Sequence, residues 1–196
     1  MPAPLAGRRI LDLGAVCEKR PQALAISMAT KLCAGYGAAV FRPLPAGGEP
    51  LAAVPPVLPG GRSALDLFLN RDKIAGGAAG AYDAAIGDGA GLAAHAASVP
   101  ITVRVSAFGP GEDPPQTELS LLALSGILGL VGGAEGPPAR LAGHQLAYAA
   151  GLAACTGLLA AFHGGGAEAV DVSLFDVGVW LNWKAAAGML LLGTAP

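Results

Sequence analysis

The sequence predicts an α/β fold in which a parallel β-sheet is flanked by helices. Short apolar runs at residues 9–13, 38–42 and 101–105 are typical of strands buried in a parallel sheet. Residues 21–35 have helical spacing and lie between the first two runs. Together these segments predict a β-α-β unit, which favours parallel strands joined by a right-handed crossover.

Local signals define the boundaries of this first unit. Pro21 stands where the helix begins, because its missing N–H costs nothing in the first helical turn. Apolar residues then recur at four-residue spacing: Leu24, Met28 and Leu32. Gly35 or Gly37 is expected to end the helix, and the second strand follows.

The middle of the chain is predicted to contain a loop, two strands and a helix. Residues 43–61 are rich in proline and glycine, which predicts a loop over the sheet. Residues 84–86 and 101–105 are the third and fourth predicted strands. Thr117 is a candidate N-cap for the helix. The apolar face of that helix is expected to contain Leu119, Leu122, Ala123 and Leu130.

The last third of the chain is the most apolar part. Residues 146–162 have the length and composition of a helix buried on most faces, in which Gly151 and Gly157 allow close approach of a neighbour. The glycine-rich residues 163–166 end it, and residues 170–173 form a short strand. Residues 174–192 are predicted to form one further helix. Five of its apolar residues are expected to pack: Val177, Trp180, Leu181, Met189 and Leu192.

Composition and charge limit the possible functions. At 196 residues the chain is long enough for one domain with a substantial core. Its charged content is 13%, whereas soluble domains usually have about 25%. The net charge of −2 gives no reason to expect nucleic acid or an acidic membrane surface as a partner. Three scattered histidines lack ligand spacing, so no metal site is expected.

The cysteines and the N-terminus bear on the cellular compartment. Cys17, Cys33 and Cys155 are odd in number and have no C-x-x-C spacing, which suits buried thiols in a reducing cytosol. Residues 1–7 lack the basic start and apolar run of a signal peptide. The protein is therefore expected to be cytoplasmic.

An uncharged run at residues 141–167 is long enough for a membrane-spanning helix. However, His144, Gln145 and His163 lie inside it, and the weakly apolar residues alanine and glycine dominate it. These features favour a helix buried against protein.

Several motifs in chain order resemble those of the family III CoA-transferases, the CaiB/BaiF family. They are PLAG at 4–7, ILDL at 10–13, SAFGPG at 106–111, GPPAR at 136–140, AGLAA at 150–154 and VDVSLFD at 170–176. The resemblance covers nearly all of residues 1–196 but only the N-terminal half of the family. It implies the Rossmann-like large domain without the small domain and the C-terminal return that follow in family members. It also implies an oligomer, because two chains interlock in those members.

The resemblance implies a chemistry that this sequence lacks at one position. Family members transfer CoA between carboxylates through a thioester on an aspartate. Counting back from Gly151, the place of that aspartate is held by Ala147. No catalytic residue is therefore assigned. His144 remains a candidate nucleophile or general base three residues upstream.

The resemblance also implies a set of residues for binding CoA or acyl-CoA. They are Arg42, Asn70, Arg71, Lys73, Phe108 and Gly109. Arg71 and Lys73 are suited to phosphate, although a solvated basic turn would have the same composition. The glycine-rich turn at 106–111 can bring backbone N–H groups to a ligand, although tight turns use the same residues.

Three functions remain open at this point. The first is a non-catalytic or partner-dependent subunit that binds CoA thioesters, with a second copy or another family III subunit as partner. The second is an active CoA-transferase or acyl-CoA-modifying enzyme that uses another residue or a partner's aspartate. The third is a structural oligomer without a ligand. No dinucleotide fingerprint follows the first strand, and no G-x-S-x-G elbow is present.

Overall fold

The computed structural model describes residues 3–77, 80–111, 114–132, 136–166 and 168–193. Six strands form one sheet in this part of the chain, in the order β3-β2-β1-β4-β5-β6 with every pair parallel. The strands are β1 (Arg9–Asp12), β2 (Ala39–Arg42), β3 (Ile74–Ala75), β4 (Ala84–Gly87), β5 (Ile101–Ser106) and β6 (Glu168–Ser173). The predicted α/β fold with a parallel sheet is confirmed.

Helices connect these strands and cover both faces of the sheet. Within the described residues they are α1 (Arg20–Gly35), α2 (Ala64–Asn70), α3 (Gly89–His95), α4 (Glu118–Leu124), α5 (Gln145–Gly164), α6 (Leu174–Leu181) and α7 (Trp183–Leu192). A 3₁₀ turn at Ile127–Leu130 follows α4. The predicted first helix and the predicted buried helix correspond to α1 and α5.

Alternating side chains of the strands point to opposite faces of the sheet, where they belong to two hydrophobic cores of unequal size. Ile10 and Ile86 belong to the large core with α1 and α5. Leu11 and Leu13 belong to a smaller core beneath α3, together with Ala96. This alternation explains why β1 is apolar on both faces, as expected for an inner strand of a parallel sheet.

Helices α1 and α5 cross at very short range, as the glycine at position 151 predicts. A Cβ atom on Gly151 would lie 2.6 Å from Cβ of Met28 and 2.8 Å from the carbonyl oxygen of Ala25. Helix α5 ends at Gly164 and is capped by Gly165, whose φ of 76° is left-handed and favours glycine. The prediction of a close approach and of a glycine stop is confirmed.

Helix α5 meets the length and composition required to cross a membrane. Eight of its residues are nevertheless buried within the domain. They are Leu146, Ala147, Ala150, Gly151, Ala154, Cys155, Leu158 and Ala161. The helix contacts α1, β5 and β6, so its apolar composition is accounted for by the core of the domain.

The apolar face predicted for α4 is wrong in part. Leu122 is buried as predicted, and so is Leu121. Three predicted residues are exposed: Leu119, Ala123 and Leu130. The reason is that α4 is only two turns long and the chain then changes to a 3₁₀ turn. A short helix presents few residues to the core, so periodicity over a longer window misassigns its face.

The single helix predicted at residues 174–192 is also wrong. It is divided at Asn182, whose side-chain amide donates to the carbonyl oxygen of Ser125 at 3.1 Å. Val177 packs against the core as expected. Four other residues expected to pack are exposed: Trp180, Leu181, Met189 and Leu192.

The elements α2, β3 and α3 were not predicted. A signal for α2 is present, since Ser63 accepts a hydrogen bond from the Asp66 N–H as an N-cap. Helix α3 is glycine- and alanine-rich and is stabilised by packing of Leu92 on the smaller core, which no local pattern shows.

Candidate functional site

A cleft opens at the carboxyl ends of β1 and β4. The chain proceeds outward from β1 through β2 to β3 and then returns to β4 on the other side of β1, so the sheet has a topological switch point there. Ligands of doubly wound sheets bind at such points. A cavity of about 710 Å³ occupies this position and is called here the switch-point cavity. Its lining includes Glu18, Lys19, Asp88, Ala90, Ser106 and Gly109.

Two short turns shape this cavity. The Asp88 carboxylate accepts the Gly91 N–H at 2.8 Å and so caps the start of α3. After β5, Gly109 has a φ of 98°, and its N–H donates to Oγ of Ser106 at 2.9 Å. The left-handed conformation at Gly109 keeps the turn free of a side chain, so backbone lines the cavity at this position.

A second cavity of about 680 Å³ adjoins the first, because Glu18 and Lys19 line both. It lies between the start of α1, the start of α4 and the residues that precede α5, and is called here the Glu118 cavity. Arg20, Glu118, Arg140 and His144 are among its lining residues. The two cavities together form a groove along the carboxyl edge of the sheet.

The Glu118 carboxylate is held from three sides at the start of α5. Nδ1 of His144 lies 2.9 Å from one carboxylate oxygen, and the backbone N–H of Ala147 donates to the other at 3.4 Å. The guanidinium of Arg140 lies 3.6 Å away. Glu118 is only 7% exposed, so these contacts replace most of its hydration.

Ala147 and its neighbour Tyr148 complete the wall around this carboxylate. Ala147 is fully buried in the first turn of α5 and offers only its backbone N–H to Glu118. The Tyr148 ring meets the His144 ring edge-on at 6.2 Å between centroids. Burial raises the pKa of the Tyr148 hydroxyl, and the nearby charge of Glu118 raises it further.

Two of the residues expected to bind CoA lie in a buried ion cluster. Arg42 donates from Nη1 to Asp12 at 2.8 Å and from Nε to Glu49 at 2.7 Å. Nζ of Lys73 donates to the other oxygen of Asp12 at 2.7 Å. Asp12 also accepts from the Thr30 hydroxyl and is completely buried. The cluster joins β1, β2 and the start of β3 beneath α1.

The charges in this cluster depend on one another. Burial raises the pKa of the Asp12 carboxyl, but Arg42 and Lys73 lower it more, so that pKa lies well below its usual range. Burial lowers the pKa of the Lys73 ammonium to about 8 in spite of Asp12. Asp12 is therefore the anion that keeps two buried cations in place.

The six residues expected to bind CoA are not brought together. Gly109 lines the switch-point cavity, and Phe108 stacks at a tilt on Phe175 beside it. Asn70 accepts from Lys73 at 2.8 Å, and Arg71 is exposed beside Asp72. In the part of the chain that the structure describes, none of Arg42, Asn70, Arg71 and Lys73 lines either cavity. Their role in CoA binding stays a prediction.

The structure also shows where several ionisable side chains and thiols lie that the sequence did not assign to a site. Glu118 is one of them, because nothing in the local pattern shows that this first-turn glutamate is buried. Across the described residues, no group of three or more His, Cys, Asp and Glu side chains is suited to a metal ion. The cysteines are free and buried, with Sγ of Cys33 3.9 Å from Sγ of Cys155.

Fold and cleft together define a doubly wound α/β domain with a groove, the candidate ligand site, at the switch point of its sheet. The family model described as CoA-transferase family III matches residues 93–195, which is more than half of the chain. The chain therefore belongs to the family III CoA-transferases.

Solved structures of longer proteins share this fold. A CaiB/BaiF family protein from Brucella suis is 18% identical, with a TM-score of 0.80, over 100% of this chain and 60% of that one. Rv3272 from Mycobacterium tuberculosis is 22% identical, with a TM-score of 0.74, over 98% and 61%. An aspartate-to-alanine variant of Rv3272 matches at 22% identity and a TM-score of 0.72, over 99% and 60%. The chain thus spans about 60% of the length of these structures. Among curated proteins, none matches.

Proposed function

We propose that this protein binds CoA thioesters and is non-catalytic, or dependent on a partner, in CoA transfer. The observation that supports this most directly is Ala147, a fully buried methyl group at the start of α5. By the resemblance of residues 150–154, position 147 is where the family places its nucleophilic aspartate. A methyl group forms no acyl intermediate, so the transfer chemistry of the family needs a carboxylate from elsewhere.

The groove along the carboxyl edge is the proposed binding site for CoA. Lys19 lies where the two cavities meet, and Arg104, Arg20 and Arg140 line one cavity or the other. Cationic side chains and the backbone of the turn at Gly109 suit the phosphates of CoA. The nucleotide part would lie in the switch-point cavity, and the thioester would reach the Glu118 cavity.

Filling the switch-point cavity should abolish CoA binding. Ala90 lines this cavity on α3 and is exposed, so Ala90→Trp places an indole in the cleft without disturbing the core. We expect the Kd for CoA to rise at least about 100-fold, which corresponds to about 2.7 kcal/mol. Isothermal titration calorimetry with CoA on the purified chain measures it.

The matched control is Ala93→Trp, on the same helix. Ala93 is exposed but is not among the residues that line the cavity. This variant should bind CoA like the unmodified chain. Equal affinity in all three proteins would place CoA elsewhere, and no heat with the unmodified chain at millimolar CoA would refute binding altogether.

A second candidate is an active CoA-transferase completed by a partner's aspartate. It is favoured by family membership together with Ala147, since the transfer chemistry of the family needs a carboxylate that this position does not offer. Hydroxylamine trapping of an acyl-enzyme, performed on the chain alone and with a family III subunit, separates the two candidates. An adduct on the partner's carboxylate would support the second.

The exposed side chains of α6 and α7 are the proposed partner surface. Leu190 and Leu191 are 84% and 82% exposed, and Trp180 and Met189 are also exposed. An apolar patch of this kind is typical of a protein–protein interface. We propose that a second copy of this chain covers it. The same surface without any ligand would serve the purely structural alternative. The three buried free thiols fit a cytoplasmic setting.

Charging this surface should convert an oligomer to a monomer. In the double variant Leu190→Lys and Leu191→Glu, two apolar contacts are replaced by groups that are costly to desolvate. Sedimentation velocity should show the mass of one 19.2 kDa chain, against a multiple for the unmodified protein. Leu58→Lys, an exposed leucine in the loop after β2, is the control. An unmodified protein that is already monomeric would contradict the proposal.

A further inference from the structure

The Glu118 cavity contains a carboxylate–histidine pair that the CoA-binding role does not use. Oε2 of Glu118 and Nδ1 of His144 are 2.9 Å apart, at the start of α4 and immediately before α5. An ionised carboxylate is only an acceptor, so Nδ1 of His144 carries the hydrogen. The neutral ring then has its lone pair on Nε2, which is the tautomer of a general base.

The other ring nitrogen is available. In the part of the chain that the structure describes, Nε2 of His144 has no hydrogen-bond partner. The side chain is 21% exposed and lines the Glu118 cavity, whereas the side chain of Glu118 is 8% exposed. The pair is therefore arranged with the carboxylate in the wall and the imidazole at the surface of the cavity.

The carboxylate itself is fixed in place. The Ala147 N–H holds one oxygen at 3.4 Å, which leaves the other for His144. This hydrogen bond comes from the first turn of α5, where the helix has unpaired N–H groups. Glu118 thus fixes both the tautomer and the orientation of the ring.

The lining of the cavity suits an anionic intermediate. The guanidinium of Arg140 is half-exposed and lies 3.6 Å from Glu118 of the pair, and Arg20 also lines the cavity. Positive charge placed where an oxyanion develops stabilises the transition state of acyl transfer. Nearby, position 147 offers no side chain that could attack a thioester.

We propose that Glu118 and His144 form a general base that activates water for hydrolysis of the CoA thioester. The inference rests on the proposed function, since it requires CoA to lie in the groove. His144 is the catalytic residue, because its Nε2 would touch the water, and Glu118 is a positioning residue.

The reaction needs only water as a co-reactant. Nε2 of His144 takes a proton from water while the water oxygen bonds to the thioester carbonyl carbon. The resulting oxyanion lies in the field of Arg140. The carbon–sulfur bond then breaks, the carbonyl re-forms, and the imidazolium returns its proton to the leaving sulfur. The products are the free carboxylic acid and CoA with a thiol.

The first experiment follows thiol release from acetyl-CoA and octanoyl-CoA by the purified chain with a thiol-reactive dye. General base catalysis contributes about 10²–10⁴-fold. His144→Ala and His144→Gln should therefore lower kcat at least about 100-fold and leave KM within about twofold. Added imidazole should restore part of the activity of His144→Ala. Glu168→Gln, an exposed glutamate on β6, is the control and should be unchanged.

The second experiment distinguishes positioning from a purely structural role of Glu118. Glu118→Gln should lower kcat about 10-fold or more with KM within about twofold. In the His144→Ala background the same change should have no further effect, because groups that act as a unit are non-additive. An equal loss in both backgrounds would mean that Glu118 only supports the fold.

Failure of this inference is separable from failure of CoA binding. Calorimetry with CoA on the same preparation is the reference. Binding without thiol release, or thiol release that survives His144→Ala, overturns the inference and leaves the binding proposal intact. Absence of binding overturns both. Deuterium at the α-carbon of recovered acyl-CoA in D₂O, without hydrolysis, would show that the base acts on substrate carbon and also overturns it.

Discussion

Replacing Asp12 with asparagine is expected to lower the free energy of unfolding by about 3–5 kcal/mol, the usual cost of breaking a buried ion pair from one side. Asp12 is completely buried and bonds Arg42 and Lys73 at 2.8 and 2.7 Å. Asparagine keeps the shape of the side chain but removes the charge. Arg42 would retain Glu49, whereas the buried Lys73 ammonium would keep only neutral acceptors, the Ser27 carbonyl and the Asn70 amide oxygen. Urea unfolding followed by circular dichroism measures the change.

The control for this prediction is Asp72→Asn. Asp72 also pairs with an arginine, Arg71, but its side chain is 62% exposed. Surface pairs contribute about 0–1 kcal/mol, so this variant should be nearly neutral. If both variants lost similar amounts of unfolding free energy, burial would not be what makes the Asp12 cluster contribute to stability.

The same carboxylate predicts how stability depends on pH. The pKa of Asp12 lies below its reference value of 3.8, so the unfolded chain takes up the proton first as the pH falls. The stabilisation is therefore complete above about pH 4 and decreases as the pH falls further. Asp12→Asn should lack this part of the acid sensitivity. Urea unfolding at neutral pH and near pH 3 compares the two proteins, and parallel losses would contradict the assignment.

Leu158→Ala is expected to cost about 2–5 kcal/mol of unfolding free energy. Leu158 is fully buried on α5, within the large core that this helix shares with α1, β5 and β6. Truncation leaves a cavity that neighbouring side chains cannot fill, because α5 is packed between α1 and the strands β5 and β6. Differential scanning calorimetry and urea unfolding both report the loss.

Leu152 provides the comparison on the same helix. It is 51% exposed, six residues before Leu158, so Leu152→Ala removes few contacts and should change stability by less than about 0.5 kcal/mol. Equal losses would mean that α5 is not the core helix of the domain and that its apolar composition serves another purpose.

Much of the fold was predictable because its signals are local. Pro21 and the four-residue spacing after it define α1, and the glycines after His163 define the end of α5. Gly151 predicted a close neighbour because a glycine inside a helix lets another element approach the backbone. Met28 on α1 is that neighbour. Several motifs in chain order, among them VDVSLFD at 170–176, predicted the family.

The candidate site was less predictable because it depends on distant segments. His144 was a candidate from its proximity to position 147, but its hydrogen bond to Glu118 joins residues 26 positions apart. The buried state of Arg42 and Lys73 depends on Asp12 and Glu49, which lie on other elements. The family resemblance suggested CoA binding for Arg42 and Lys73, and the structure places both in internal ion pairs, so that role stays a prediction.

The sequence by itself determined the parallel sheet, the two long helices of the large core and the family, because apolar periodicity, proline and glycine act over a few residues. Only the tertiary structure decided the break at Asn182, the exposure of the α7 leucines and the pairing of Glu118 with His144. Each of these depends on what a side chain meets across the fold. Hydrogen bonds between distant segments, and the burial of one segment by another, leave no signal in the local sequence pattern.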